Sequence, residues 1–268
     1  MQGGLHMYAE ERQREIAQMI KENGMVSIAD LTARYSISSE SARRDLRALE
    51  QQGLCKRTHG GAIRPQQVSV LPPRDRNFDD MPIFDNYDRI AAHAVSLIRP
   101  GDMVYLTGGS FGYLMLRHLP QDLKCTLVVN NVDLACRLRP FTNIDVYVAG
   151  GHMRPSASIV DSMATDFMSR LHFDLAFLTG GGLTADFGLS NGTDETATLQ
   201  RQVIRNSRRN VLLMPSQKIG TDSFVKVCGA AAFDALITDW DCVEDELMKL
   251  EEAGVAVTVV PAPEKAEA

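Results

Sequence analysis

Three short stretches with apolar residues at helical spacing open the chain. Ile16, Met19 and Ile20 recur along one side of a segment running from about Glu10 to Glu22, and Asn23-Gly24 ends it. A second helix is predicted to start at Ser27. Ser27 and Asp30 have capping-box spacing there, and Ile28, Leu31 and Tyr35 form the apolar face. After a break at Ser36-Ile37-Ser38, a third helix capped by Ser38 or Ser39 runs to about Gln52. Its Ala42, Leu46 and Leu49 fall at i, i+4 and i+7 and must pack inward. Arg43 and Arg47 lie one turn apart on the opposite side, flanked by Glu40 and Arg44. Gly53 closes the helix. Leu54–Thr58 then reads as a strand, His59-Gly60-Gly61 as a tight turn and Ala62-Ile63 as the returning strand.

From Phe84 the pattern changes to alternating helical and strand segments. Helices are predicted over Asn86–Ile98, Leu114–Leu119, Val132–Leu138, Ala164–Leu171, Thr193–Ser207 and near Val243–Glu252. Strands are predicted over Met103–Leu106, Cys125–Val129, Ile144–Ala149, Leu175–Leu178, Val211–Met214, Leu236–Thr238 and Val255–Val260. Such alternation predicts an α/β body, a largely parallel sheet with helices on both faces. Between head and body, Arg64–Pro82 carries Pro65, Pro72, Pro73 and Pro82 among polar residues, which predicts an extended connector.

Composition sharpens this picture at a few points. The 268 residues are 44% hydrophobic and 23% charged, ordinary for a soluble globular protein of one large or two modest domains. No apolar run reaches the roughly 18 residues that a membrane helix requires. Met1–His6 reads as an upstream start or a remnant, with Met7 the natural beginning, and carries no secretory pattern. The five cysteines, Cys55, Cys125, Cys136, Cys228 and Cys242, are scattered and sit at neither zinc nor redox spacing, which points to reduced thiols and a cytoplasmic home. The six histidines likewise show no ligand spacing, so no metal and no cofactor is expected.

The net charge of −6 argues against nucleic acid until its distribution is followed. Residues 1–65 hold 10 Lys+Arg against 8 Asp+Glu, and residues 43–64 hold six basic against two acidic side chains, so the acidity belongs to the body. A basic head on an acidic body fits a DNA reader with a separate sensor. The third helix then suits the major groove, and the basic hairpin after it suits the phosphates. The DNA-contact candidates are Ser38, Ser39, Glu40, Ser41, Arg43, Arg44, Arg47, Lys56, Arg57, His59 and Gly60. A helical protein-interaction module is the competing reading of the head. It would need neither arginines on the free face nor a basic hairpin.

In open parallel sheets ligands bind beyond the carboxyl ends of the strands. Those ends carry Thr107-Gly108-Gly109-Ser110-Phe111, Asn130-Asn131, Gly150-Gly151-His152-Met153-Arg154, Thr179-Gly180-Gly181-Gly182 and Pro215-Ser216-Gln217-Lys218. Glycines there allow close backbone approach, and amides at a helix N-terminus suit an anion. Arg154 and Lys218 add positive charge, and Asn130 and Asn131 offer paired donors and acceptors for sugar hydroxyls.

Ser39-Glu40-Ser41-Ala42-Arg43-Arg44-Asp45-Leu46, followed by Leu49-Glu50, Gly53 and Arg57-Thr58-His59-Gly60-Gly61-Ala62, resembles the winged helix-turn-helix of DeoR-type transcription regulators. Ser41-Ala42 replaces the family's Thr-Ile. In the body, Ile98-Arg99-Pro100-Gly101-Asp102, Val128-Val129-Asn130-Asn131, Gly150-Gly151, Asp174–Phe177, Gly188-Leu189-Ser190, Glu195-Thr196-Ala197 and Ile237-Thr238-Asp239 resemble that family's sensor domain. The resemblance implies a winged helix-turn-helix over 8–63, a linker over 64–82 and, over 83–262, a Rossmann-like α/β sensor of the ribose-phosphate isomerase and glucosamine-phosphate deaminase type. It also implies a homo-oligomeric repressor of a carbohydrate-metabolism operon, bound to double-stranded operator DNA and controlled by a phosphorylated sugar.

On that resemblance Gly109-Ser110 would hold phosphate, and Asn131, Glu195 and Lys218 would contact the rest of the effector. The full set of effector candidates is Gly108, Gly109, Ser110, Asn130, Asn131, Gly150, Gly151, Arg154, Gly181, Glu195 and Lys218. Asp45 is expected to hold a neighbouring arginine or a backbone group. Departures from the family pattern fall at Thr107, Phe111, Asp161 and Pro215, all expected at the pocket, and leave two alternatives open: an unusual effector, or weakened binding. A fused sugar-phosphate isomerase or deaminase is the other functional reading, with Asp186, Asp194, Glu195 and His152 as its acid–base candidates. No active enzyme is expected, because the loop acids that such chemistry would use are missing and His152 has no acid nearby in sequence.

Overall fold

The computed structural model describes residues 9–23, 25–58, 60–63 and 84–263. Met1–Met7, His59 and the expected linker 64–82 lie outside the described residues. The chain divides into two compact units: among the described residues, the first takes those from Ala9 to Ile63 together with Asp241–Val243, and the second those from Phe84 to Trp240 and from Glu244 to Pro263.

The first unit contains α1 (Ala9–Asn23), β1 (Met25–Ser27), α2 (Ile28–Tyr35), α3 (Ser39–Gln51), β2 (Lys56–Thr58) and β3 (Gly61–Ile63). The expected capping box forms: Ser27 Oγ accepts from Asp30 N at 3.0 Å, and Asp30 Oδ2 accepts from Ser27 N at 3.4 Å. Ser36 adopts a left-handed conformation, φ 51°, and turns the chain from α2 toward α3. Ser38 caps α3 by accepting from Ser41 N at 3.1 Å. Ile16, Ile20, Leu31, Ala42, Leu46 and Leu49 meet in one core with Val26, Cys55 and Ala62.

Two details of this unit differ from expectation. The hairpin begins at Lys56 rather than Leu54, because Leu54 N still donates to Leu49 O and closes the helix end over Gly53, φ 71°. A third strand, β1, completes the sheet in the order β1-β3-β2. It pairs antiparallel with β3 so closely that a Cβ on Gly61 would overlap the Val26 carbonyl. Three residues between two helices carry no readable period.

Asp45 fastens the helices. It is 2% exposed, and its carboxylate accepts from Arg12 Nε at 2.7 Å and Gln13 Nε2 at 2.9 Å, both from α1. The arginine it holds is thus on another helix.

The second unit begins with α4 (Asp85–Val95) and β4 (Met103–Leu106), followed by α5 (Ser110–His118), β5 (Cys125–Val129), α6 (Val132–Leu138) and β6 (Ile144–Val148). Next come α7 (Ser162–Ser169), β7 (Leu175–Leu178), β8 (Gly182–Thr184), β9 (Gly188–Asn191), α8 (Asp194–Arg205) and β10 (Asn210–Leu213). The unit closes with β11 (Val225–Cys228), β12 (Ala235–Thr238), α9 (Glu244–Glu252) and β13 (Ala256–Val259).

Seven strands form one parallel sheet in the order β13-β12-β10-β7-β4-β5-β6. β7, β10 and β12 are buried at every position, the signature of a sheet covered on both faces. From β4 the chain builds outward through β5 to β6, then returns to the other side of β4 with β7. The order therefore reverses between β4 and β7. A small antiparallel sheet, β11-β9-β8, was not expected from the sequence.

Asp45→Ala is expected to destabilise the first unit by about 2–3 kcal/mol, since it strands a guanidinium and an amide beside the core. Thermal unfolding followed by circular dichroism checks this. A midpoint unchanged from the wild-type chain would show that the α1–α3 clamp contributes nothing.

Candidate functional site

The reversal of strand order leaves the ends of β4 and β7 facing each other with no helix crossing between them, the position where doubly wound sheets bind ligands. Gly109 caps α5 there, and the first-turn N–H groups of a helix have no intrahelical acceptor. The nearest atom to a Cβ built on Gly109 is the Thr179 methyl at 3.4 Å, so little but Thr179 bounds this position. One residue beyond Thr179, the Gly180 carbonyl accepts from Lys218 Nζ at 3.0 Å. Lys218 comes from the 3-10 turn Ser216–Lys218 after β10. Contacts thus run in series from the α5 N-terminus through Thr179 to the Lys218 ammonium.

The other candidates divide by what surrounds them. Gly108 is pressed against Asn131, with a built Cβ 2.7 Å from the Asn131 Cβ, and Gly181 lies under the Ser223 hydroxyl, 2.7 Å from a built Cβ. Gly151, φ 143°, makes room for the Asp161 carboxylate. A Cβ built on Gly150 meets nothing within 4 Å among the described residues beyond its chain neighbours, and Gly150 follows β6 at the sheet edge, two strands from β4.

Asn130 and Asn131 are 5% and 0% exposed, and their amides are engaged within the protein. Asn130 accepts from the Tyr105 hydroxyl at 3.1 Å and donates to Ile159 O at 3.0 Å. Asn131 accepts from the Tyr113 hydroxyl at 3.1 Å and Leu134 N at 2.9 Å, and donates to Ser156 O at 3.1 Å. Burial pushes both tyrosine hydroxyls well above their ordinary pKa, which keeps them donors.

These bonds lay the segment 154–159 across the end of β5, helped by Val132 N to Ala157 O at 2.9 Å and Ile159 N to Asn130 O at 2.8 Å. The segment carries Arg154 to the N-terminus of α8. There it pairs with Glu195 Oε2 at 3.2 Å and reaches the Thr193 hydroxyl, the α8 cap, at 3.5 Å. Glu195 is held below its usual pKa first by its own backbone N–H and then by Arg154.

Three of the four departures from the family pattern take up framework positions rather than pocket ones. Phe111 is 1% exposed and stacks on Tyr87, centroids 5.1 Å apart, so the expectation of a ring in the pocket is corrected: it packs into the core. Asp161 caps α7 through Ala164 N at 3.0 Å and holds His152 N at 2.6 Å. Pro215 precedes Ser216, whose N–H donates to the buried Asp239 at 2.8 Å. Thr107, 5% exposed, sits at the end of β4 itself.

In the first unit, Ser39, Glu40, Arg43, Arg44 and Arg47 are exposed along α3, and Ser41 is half-buried. Arg43 makes only a long pair with Glu40, 4.0 Å. Arg57 is engaged: its Nε and backbone N both donate to Glu50, at 2.7 and 2.8 Å, and fasten the hairpin to α3. Gly60 is exposed, and its carbonyl accepts from Ile28 N. Lys56 lies on β2, and His59 falls outside the described residues. Thr179 and Thr193 were absent from the sequence-derived contact set. Thr179 lies in the loop after β7, and nothing local in sequence marks its orientation. Among the described residues no group of three or more His, Cys, Asp or Glu is placed to hold a metal, and no helix is long and apolar enough to cross a membrane.

A helix-turn-helix with a β-hairpin wing, followed by an α/β sensor with its crevice at the switch point, defines a ligand-responsive transcription regulator. The chain matches the DeoR-like helix-turn-helix domain over residues 12–68 and the DeoR C terminal sensor domain over residues 85–240, and it belongs to the DeoR family. The HTH-type transcriptional regulator GlpR of Haloferax volcanii is 30% identical over 254 residues, 94% of this chain and 98% of that one. The glycerol-3-phosphate regulon repressor of Escherichia coli strain K12 is 27% identical over 230 residues, 85% of this chain and 90% of that one. Among solved structures, the full-length sorbitol operon regulator SorC of Klebsiella pneumoniae aligns with a TM-score of 0.40 at 12% identity, over 91% of this chain and 99% of that chain.

The two neighbouring glycines are expected to respond oppositely. Gly108→Ala should lower the melting temperature, because its methyl meets the Asn131 side chain on a fixed loop. Gly109→Ala should fold normally, its methyl making only ordinary contact with Thr179, and should weaken anion binding. Differential scanning fluorimetry with and without phosphate separates the two, and equal melting temperatures for both variants would contradict the packing described.

Asp161 gives a pH dependence. Backbone N–H groups, His152 first, hold its carboxyl below the ordinary range, so its stabilising effect is complete above that range and is lost as pH falls toward the lowered value. Asp161→Asn is expected to flatten the acid side of the stability profile. An unchanged acid limb in this variant would rule the carboxylate out as its source.

Proposed function

We propose that the chain is a homo-oligomeric, cytoplasmic repressor of a carbohydrate-metabolism operon, released from its operator when a phosphorylated sugar or polyol occupies the crevice between β4 and β7. The observation that carries this reading is the α5 N-terminus, open at Gly109 and linked through Thr179-Gly180 to the Lys218 ammonium, an arrangement suited to a phosphate. A relative named as a glycerol-3-phosphate regulon repressor supports the effector class. The domain assignment is 8–63 for the DNA-binding unit, 64–82 for the linker and 83–262 for the sensor.

On this reading Ser110, Gly109 and Lys218 hold the anion, and Arg154 and Glu195 border its organic part. Asn130, Asn131, Gly108, Gly151 and Gly181 shape the crevice from behind. Sensing rather than catalysis is supported by the state of the acids: Glu195 is ionised and paired with Arg154, and Asp194 pairs with Arg201 at 3.2 Å. In the DNA-binding unit, the N-terminal half of α3 enters the major groove with Arg43, Arg44 and Arg47, and Lys56 and Arg57 track the phosphates.

The test is DNA-binding anisotropy across a salt series, with a library of duplexes and a panel of sugar and polyol phosphates. Lys56→Ala is expected to weaken binding to all duplexes alike and to reduce the salt slope by about one, while Arg43→Ala relaxes base preference. Lys56 is the cleaner charge removal, since Arg57 also anchors the hairpin through Glu50. Preference and affinity unaltered by Arg43→Ala would remove α3 from the groove. Failure of every phosphate to shift either melting temperature or DNA affinity would remove the effector class.

A further inference from the structure

The exposed face of α3 carries an acid where contact with phosphates would call for a cation. Successive helical residues turn by about 100°. On that count Glu40 lies roughly 170° from the mean direction of the buried residues Ala42, Asp45, Leu46 and Leu49, at the centre of the outward face. Arg43 and Arg44 follow one turn on, to either side of it, and Arg47 two turns on. The Glu40 side chain is 64% exposed, and its Oε2 lies 4.0 Å from Arg43 Nη1. Other acids of this unit serve the fold: Asp45 clamps α1, Asp30 completes the box at α2 and Glu50 anchors Arg57. Capping of α3 is taken as well. Ser38 Oγ accepts from Ser41 N at 3.1 Å and lies 3.0 Å from Ser41 Oγ, and a capping-box acid would stand at residue 41 rather than 40. The helix dipole would be served as well by an acid at residue 39, off the centre of this face.

A carboxylate in that position is repelled by phosphate, and the major groove offers it few partners. Guanine N7 and O6 and thymine O4 are acceptors and oppose it. Adenine N6 donates, but the N7 acceptor beside it opposes the second carboxylate oxygen. Cytosine presents its N4 amino group with no acceptor beside it. We infer that Glu40 is a specificity residue of α3: it accepts a hydrogen bond from the N4 amino group of one cytosine in the operator. The flanking guanidiniums of Arg43 and Arg44 offset its charge among the phosphates. Any other base at that position leaves the carboxylate facing an acceptor or a methyl group, so Glu40 acts chiefly by rejecting wrong sequences. Affinity for DNA in general is exchanged for discrimination. The inference rests on the reading that α3 enters the major groove and adds to it one residue and the base it selects.

The experiment takes the full chain, Glu40→Gln, Glu40→Ala and Arg43→Ala through selection from randomised duplexes followed by sequencing, and measures binding to one fixed duplex lacking the selected target by anisotropy. Wild type is expected to select cytosine at one position that depends on Glu40. Glu40→Gln keeps the length of the side chain and supplies an amide suited to adenine N6 and N7, so preference at that position is expected to move from cytosine to adenine while the other positions hold. Glu40→Ala is expected to lose about tenfold in discrimination there and to bind the fixed duplex more tightly, since a negative charge leaves the interface. If both Glu40 variants keep the wild-type preference at every position while Arg43→Ala relaxes it, this inference fails and α3 stays in the groove. If Glu40→Ala weakens binding to every duplex alike and still selects the wild-type sequence, the acid serves only the helix and the inference fails. If no variant, Arg43→Ala included, alters affinity or preference, both readings fall together.

Discussion

A parallel strand must be joined to its neighbour by a crossover, and crossovers of one hand place successive helices on one face of the sheet. Only when the chain returns to the far side of its first strand does the next helix lie on the other face. Here that return occurs between β4 and β7, and much of the sensor unit follows from it. The helix after β4 and the loop after β7 diverge to opposite faces, so the strand ends between them stay uncovered. Backbone groups at those ends still need partners, and they find them in α8 and in the flanking loops. Gln200 holds the end of β7, Asn130 and Asn131 hold the end of β5, and Lys218 reaches Gly180. The crevice is therefore a gap with a rigid rim. What the rim leaves open is the first turn of α5.

The DNA-binding unit answers a different constraint, that of packing three short helices with a small core. Nine buried residues among those described supply its interior, which is little apolar surface for a free-standing unit. Asp45 adds a clamp that apolar contact cannot, joining α3 to α1 through Arg12 and Gln13. The clamp also sets the rotation of α3 about its own axis. With Asp45 facing inward beside Leu46 and Leu49, residues 43, 44 and 47 face outward. The arginines are exposed because an acid one or two residues away is buried.

Much of this was legible in the sequence because it is local. The Ser27/Asp30 box, the Ser38 cap and the Ala42/Leu46/Leu49 stripe each involve residues within one or two turns, and the structure reproduces them. The alternation of strands and helices likewise implies a parallel sheet without any knowledge of pairing. The features that escaped depend on distant partners. β1 is a strand only because β3 lies beside it, and β8, β9 and β11 form a sheet from segments of three or four residues that come together across the β9–β11 separation. The candidate site behaved in the same way. Its loops were identifiable by their glycines at strand ends, but the orientation of each side chain was not. Asn130 and Asn131 suggest sugar contacts by type, yet tertiary hydrogen bonds engage them. Thr179 has no distinguishing neighbour in sequence and acquires its interest only from Gly109.

The positions that depart from the family pattern bear on what the crevice can hold. Phe111 lies in the core, Asp161 caps α7, and Pro215 leads into a turn anchored by Asp239. These three are absorbed by the framework, and none removes the amides at Gly109-Ser110 or the ammonium of Lys218. On the proposed reading the anion-facing groups are in place, so the alternatives of an unusual effector and of weakened binding turn on the part of the ligand beyond the phosphate.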